Sequence, residues 1–385
     1  MNKINHKNHN KRRIIATDEV IRMWVTWRSC IKNNRQKKLL LIYPAMRTTT
    51  YLPLIQLFAL LIMFSTSVNG KYNQNSYDSW ENYKFVSNIP GNATDRFIIV
   101  STRNFIPENG YDYLPGVHPN HAEFIFLVSK FEDSTFITPC NNVKEAIRVL
   151  DKENDFLVYV HGHGKTFEEN LGRGLEVIER YGINLIMFDW PTNYLFIRNS
   201  IINSKKVTEN FAQVLHASHQ TISQYFPQST SSIIFHSMGN HLAKNLVEMG
   251  FTEKIGPDIF DNLILNAAAV NQKGHSSWVE KLNIQKRLYI IYNDGDLALW
   301  TVKCFRLSKQ LGTGVRLITA KNAVYLSFSN VATTEHNLFL GRNEVEKRDS
   351  RFYYLYSTLF RGLVIDLEDS FQLSEMLDGK VYNLL

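Results

Sequence analysis

Cysteine is scarce in this chain. Cys30, Cys140 and Cys304 are the three in 385 residues, and their spacing matches no metal site. With the N-terminus removed, Cys140 and Cys304 leave room for one disulfide or for two separate buried thiols. No internal repeat and no low-complexity tract follows residue 70. Positive charge is also missing where a nucleic-acid surface would need it. The net +7 is set by residues 1–47, which hold twelve Lys/Arg against Asp18 and Glu19, or +10. Of the 43 Lys/Arg and 36 Asp/Glu in all, 31 and 34 lie beyond residue 47, a net −3, so nucleic acid is not an expected partner. The apolar run from Tyr51 to Phe64 falls short of the about 20 residues of a membrane span, and Pro53 and Gln56 interrupt it.

What is there begins with a leader. Residues 1–45 are rich in Asn, Lys and Arg and are not expected to pack into a core. Met46-Arg47, the apolar run 51–64 and the small-residue exit Ser65 to Gly70 have the order of a secretory signal peptide. Met46 sits where such a peptide begins, so the start is either Met46 or Met1 with a long basic leader. The expectation is export (secreted, periplasmic or lumenal), with Lys71 as the mature start. The alternative is an uncleaved signal anchor, with membrane contact only through residues 51–64. Asn92-Ala93-Thr94 is an N-glycosylation acceptor if a eukaryotic cell exports the chain.

From residue 96 the pattern alternates. Strands are expected at Arg96–Arg103, Ala122–Val128, Phe156–Val160, Ile183–Trp190, Ser231–Phe235, within Phe260–Val270, at Arg287–Tyr292 and at Ala323–Ser329. Helices are expected at Val143–Leu150, Thr166–Tyr181, Lys205–Tyr225, after Ser237, and at Ser350–Leu363. Continuous apolar strands separated by amphipathic helices predict an α/β fold. Its sheet would be mostly parallel, with helices on both faces and antiparallel N-terminal edge strands. Residues 71–385 are read as one domain.

The stretch Ser231-Ser232-Ile233-Ile234-Phe235-His236-Ser237-Met238-Gly239-Asn240 runs from strand to helix through one serine. That is the form of a nucleophile elbow, which lifts a hydroxyl above the sheet. A triad in the order Ser, acid, His then requires an acid and a base at later strand ends. The acid candidates are Asp296 and Asp294 in Asn293-Asp294-Gly295-Asp296, after the Arg287–Tyr292 strand. The base candidate is His336, after the last strand. His161-Gly162-His163-Gly164 follows an earlier strand, and its backbone suits an oxyanion hole formed by the amides of His163 and Met238. A metal at His161 and His163 lacks a carboxylate or third ligand, so no metal or cofactor is expected. His216 and His219 fall in a helical pattern and read as surface or packing residues. His236 and His241 flank the elbow and line the site without acting as the base.

Several of these segments together resemble the DUF900 family of α/β-hydrolases of unknown function. They are His161-Gly162, Phe188-Asp189-Trp190-Pro191, His236-Ser237-Met238-Gly239-Asn240, Asp296-Leu297-Ala298-Leu299, the late His336 and the opening Ser101-Thr102-Arg103. The resemblance spans roughly residues 96 to 365. It implies an α/β-hydrolase fold, and it favours Asp296 over Asp294 as the acid. Two positions depart from the pattern: Phe235 stands where a small residue is usual, and His163-Gly164 continues the oxyanion turn. The expected function is a serine hydrolase of the esterase or lipase kind, acting on a small-molecule or lipid carboxylic ester through an acyl-enzyme. The apolar loop Pro191 to Ile197 would cover the pocket or touch lipid, or else pack as core. The alternative is an inactive hydrolase-fold binding or interaction module; peptidase and thioesterase chemistry would use the same residues.

Overall fold

The computed structural model describes residues 83–91, 93, 95–106, 112–118, 122–131, 134–192, 197–306, 308–315, 319–341, 349–367, 371–373 and 381–384. The expected leader, signal segment and glycosylation acceptor Asn92 lie outside the described residues, as does most of the apolar loop after Trp190. No helix of the described residues is long and apolar enough to cross a membrane.

The strands in chain order are β1 (Tyr83–Phe85), β2 (Asp95–Ser101), β3 (Arg103–Ile106), β4 (Asp112–Val117), β5 (Phe124–Lys130), β6 (Thr135–Cys140) and β7 (Phe156–Val160). They continue as β8 (Asn184–Asp189), β9 (Ser231–His236), β10 (Phe260–Asn266), β11 (Gln285–Tyr292), β12 (Ala323–Ser327), β13 (Phe371–Leu373) and β14 (Val381–Leu384). β3 and β4 pair as a separate two-stranded antiparallel sheet. The rest form one sheet in the order β1-β6-β5-β2-β8-β7-β9-β10-β11-β12-β14-β13.

From β2 through β12 every neighbour pair is parallel. β5 runs against both β2 and β6, which is the antiparallel edge expected from the sequence. At the other edge β14 extends the parallel set, and β13 runs against it. These last two strands were not anticipated: three and four residues are too short to show a period.

The central strands are buried along their whole length, which is why they read as unbroken apolar runs. Alternate side chains feed two cores. On one face Val158, Ile233 and Phe235 pack with Phe211 and Leu215 of the helix Ile197–Tyr225 and Leu242 and Leu246 of the helix Asn240–Glu248. On the other, Tyr159, Ile234 and Ile264 pack with Leu171 and Leu175 of the helix Phe167–Tyr181 and Phe352 and Tyr356 of the helix Ser350–Phe360. The helix Phe167–Tyr181 starts in a capping box, Thr166 with Glu169, and ends at Gly182 in the left-handed region (φ 55°).

The helix expected from Lys205 starts earlier, at Ile197. Its first turns are rich in Ser and Asn, poor helix formers. Burial of Ser200 and Ser204, the latter accepting a bond from Asn245 Nδ2 at 3.1 Å, overrides that propensity. Cys140 is a half-buried free thiol, so the disulfide left open by the sequence is not formed. Burial pushes that thiol up to about 11.

Candidate active site at the strand ends

Strand order decides where a site can form. The chain passes from β7 to β8 on one side and then crosses to β9 on the other. The crevice outside the carboxyl ends of β7 and β9 is therefore a topological switch point. Register brings the expected residues to one level there. Val160 pairs with Phe235, His236 with Asn266, and Tyr292 with Ser327. His161-Gly162, Ser237, Asn293–Asp296 and the His336 loop all follow at that end of the sheet.

Ser237 leaves β9 with φ +52° and begins a single 3-10 turn that leads into the helix Asn240–Glu248. Positive φ is uncommon for a residue with a Cβ and costs of order 1–3 kcal/mol. Ala267 (φ 45°) at the end of β10 and Thr333 (φ 49°) in the His336 loop share it, so three of the four such non-glycine residues among those described belong to this rim. The elbow is held by Asn240, whose Nδ2 donates to the carbonyls of Phe235 and Ser237, each at 2.9 Å.

Close approach explains Gly239. A Cβ there would lie 2.8 Å from the carbonyl oxygens of both His161 and Val160. Gly239→Ala is expected to cost about 1–3 kcal/mol, read as a lower urea midpoint. Gly162 packs against the Ser237 turn in the same way, with a Cβ there falling 2.8 Å from Ser237 Cβ. Phe235, the departure from the usual elbow pattern, causes no such conflict. Its ring packs into the core shared with the helix Asn240–Glu248 and meets Phe211 edge-on at 5.8 Å.

The loops that carry Asp296 and His336 are stitched together. Asn293 Nδ2 donates to the carbonyls of Thr333 and Glu335, each at 3.0 Å. Asp296 is fully buried, and its Oδ2 lies 2.5 Å from His336 Nδ1. Its Oδ1 accepts the Leu299 amide at the start of the helix Leu297–Arg306. Asp294 is exposed, and its amide bonds Ser329 Oγ. Asp296 rather than Asp294 is therefore the carboxylate on His336. Glu335 faces a small hollow beside the pair. Burial, then the charge of Asp296, push its carboxyl up.

The His336 ring packs on that of His236, centroids 4.7 Å apart. Among the described residues Ser237 Oγ makes no hydrogen bond; in ligand-free sites catalytic hydrogen bonds are often long. Met238 lies in the first turn of the helical segment, where amides have no intrahelical acceptor. The His163 side chain reaches the helix Ile197–Tyr225, where its Nδ1 lies 2.9 Å from Ser200 Oγ. His241 is buried in the elbow helix, whereas His216 is exposed and bonds Gln220. No group of side chains that would hold a metal occurs among the described residues.

Under the His161-Gly162 turn lies a charged network that sequence reasoning quoted but gave no role. Asp189, with no exposed surface, accepts from Arg103 Nε and Nη2, Ser101 Oγ and Asn170 Nδ2, all within 2.9 Å. Burial pushes the Asp189 carboxyl up, but the Arg103 guanidinium outweighs it and holds it well below the usual carboxylate range. Arg103 Nη2 also donates to the Lys165 carbonyl. The Trp190 amide donates to His161 Nε2 at 3.1 Å, so that nitrogen carries a lone pair, and His161 Nδ1–H donates to the Gly162 carbonyl at 2.7 Å. His161 is therefore the neutral tautomer, not the cation of an ion pair with Asp189.

Burial lowers the pKa of both His161 and His236. A histidine whose folded pKa is depressed binds a proton in the unfolded chain first. Its stabilising contribution is complete above the unfolded value of about 6.5 and declines below it, by up to about 1.4 kcal/mol per pH unit for each. Urea midpoints are expected to hold from pH 7.5 to about 6.5 and then to fall steadily to about pH 5. Midpoints flat across that interval would rule out two buried neutral imidazoles.

A crossing sheet, a strained serine at the switch point and a late histidine on a buried carboxylate define an α/β-hydrolase fold. The model of the DUF900 family, alpha/beta hydrolases of unknown function, matches residues 140–317. That span takes in β7 through β11, the elbow and Asp296, and is shorter than the motifs suggested. Among solved structures, a chain from Xanthomonas campestris pv. campestris, named as a hydrolase of the alpha/beta superfamily, is similar over 54% of this chain and 100% of its own. Identity there is 10% and the TM-score 0.26. No curated protein matches the chain.

Proposed function

We propose that the protein is a serine hydrolase that cleaves a carboxylic ester. The observation that carries this reading is the bond between His336 and the buried Asp296, in a loop level with the strained Ser237. His336 Nε2 takes the Ser237 proton as Oγ bonds to the acyl carbon. Asp296 holds the ring with Nδ1–H toward it and stabilises the imidazolium. The amides of His163 and Met238 face the oxyanion, each donor being worth about 10²–10³-fold in rate. The carbon–oxygen bond to the alcohol then breaks as His336 protonates the leaving oxygen. Water, deprotonated by His336, releases the acid and restores Ser237.

Leu297 and Trp300 stand exposed on the helix that starts beside Asp296. They favour an apolar acyl group. Chromogenic esters of increasing chain length test both points: hydrolysis is expected, with kcat/KM rising from acetate to octanoate. No hydrolysis of any ester by well-folded protein would overturn the reading. Export led by residues 46–70 belongs to the same proposal, and N-terminal sequencing of protein from the medium should begin at Lys71.

A further inference from the structure

His236 immediately precedes the nucleophile, yet it is not in reach of the acid and has no part in the steps above. It is 2% exposed, and three independent contacts fix it. Its ring lies against His336, centroids 4.7 Å apart and planes at 50°. It also meets Phe339 edge-on at 5.3 Å. Its Nδ1 sits 3.1 Å from Asn266 Nδ2, and Asn266 Oδ1 accepts the Tyr356 hydroxyl at 2.7 Å. With Oδ1 turned to Tyr356, Nδ2 faces the imidazole. Nδ2 is then the donor and His236 Nδ1 the acceptor. The remaining ring nitrogen carries the proton and faces the Asn337 side chain, one residue past His336.

We propose that His236 is a positioning residue: its ring is the floor against which the His336 ring is held in line with Ser237, and the Tyr356–Asn266 chain keeps that floor in one orientation. The inference rests on the hydrolase reading for its rate effect, but the placement of His336 is measurable without turnover. Asp296 anchors His336 at one nitrogen only, which leaves rotation about that bond open. A second ring packed beside it, tilted at 50°, closes it. The backbone that carries this second ring also carries the nucleophile, so one short segment aligns both. The groups facing His236 suit this use. Burial, then His336, Arg173 and His161, disfavour a charge on it, and only Asn337 opposes them. A cationic floor would repel the imidazolium that catalysis requires.

The test compares His236→Ala with His236→Phe, which keeps a ring and drops the hydrogen bonds. In His236→Ala, kcat should fall about 10²-fold, the cost typical of a small misplacement, with KM unchanged. His236→Phe should recover most of that loss. With histidine labelled by nitrogen-15, the His336 Nδ1 proton should be sharp in wild type and His236→Phe, and lost to solvent exchange in His236→Ala. An unchanged kcat per folded molecule in His236→Ala would overturn the proposal, as would a phenylalanine variant no better than alanine. Wild-type protein that shows the spectral pattern but hydrolyses nothing would refute the hydrolase reading and leave the positioning role standing. Hydrolysis without the pattern would do the reverse.

Discussion

Ser237→Ala is expected to lower ester turnover by about 10⁶-fold without unfolding the protein, and Asp296→Asn by about 10⁴-fold. Under the proposed mechanism the first removes the atom that bonds the acyl carbon. The second keeps the shape of Asp296, 2.5 Å from His336, but puts an amide where the imidazole needs a carboxylate. The ring then loses the tautomer that presents a lone pair to the serine. Asp294→Asn, two residues away on an exposed turn, should leave kcat unchanged. If Asp294→Asn were the damaging variant, the acid would be misassigned. Both variants need a check of folded fraction, since Asp296 Oδ1 also caps the helix that follows.

Asp189→Ala is the substitution with the largest expected effect on stability, about 3–5 kcal/mol. It leaves the guanidinium of Arg103 buried beside its lost partner, and it removes the acceptor for Ser101 and Asn170. The double replacement Arg103→Met with Asp189→Leu should cost much less than either single change, because no uncompensated charge remains. The pH dependence has a defined sign. A carboxyl held below its unfolded value of about 3.9 contributes fully above that value and loses its contribution as pH falls through the depressed one. The Asp189 contribution is therefore constant at neutral pH. The loss predicted below about pH 6.5 belongs to the buried histidines. The network also supports the His161–Gly164 turn proposed for the oxyanion, because Arg103 holds the Lys165 carbonyl and Asp189 lies against His161. Loss of Asp189 should therefore slow acylation as well as destabilise.

Much of this was legible in residue order. Five apolar residues at Phe156–Val160 and a strand entering a helix at Ser237 can hardly be read another way. The order Ser, Asp, His then narrows the search to three loops. Choosing Asp296 over Asp294 needed a family resemblance, because both lie in the same polar turn, and only burial distinguishes them. Phe235 looked like a fault in the elbow. It is none, since the ring packs into the core against Phe211. Asn240, Asn266 and Asn293 escaped notice as working residues. An asparagine in a turn is ordinary, and its reach to carbonyls of distant segments appears only when the chain is folded. Arg103 and Asp189 were quoted as motif letters, but 86 residues separate them, and no local pattern reports such a pairing.

The most direct measurement is covalent capture. Folded protein treated with a fluorophosphonate and then digested should carry one adduct, on Ser237. The adduct should vanish in His336→Ala and form far more slowly in Asp296→Asn. An adduct on another residue, or capture at Ser237 that proceeds equally well without His336, would contradict the convergence of these three side chains on one reaction.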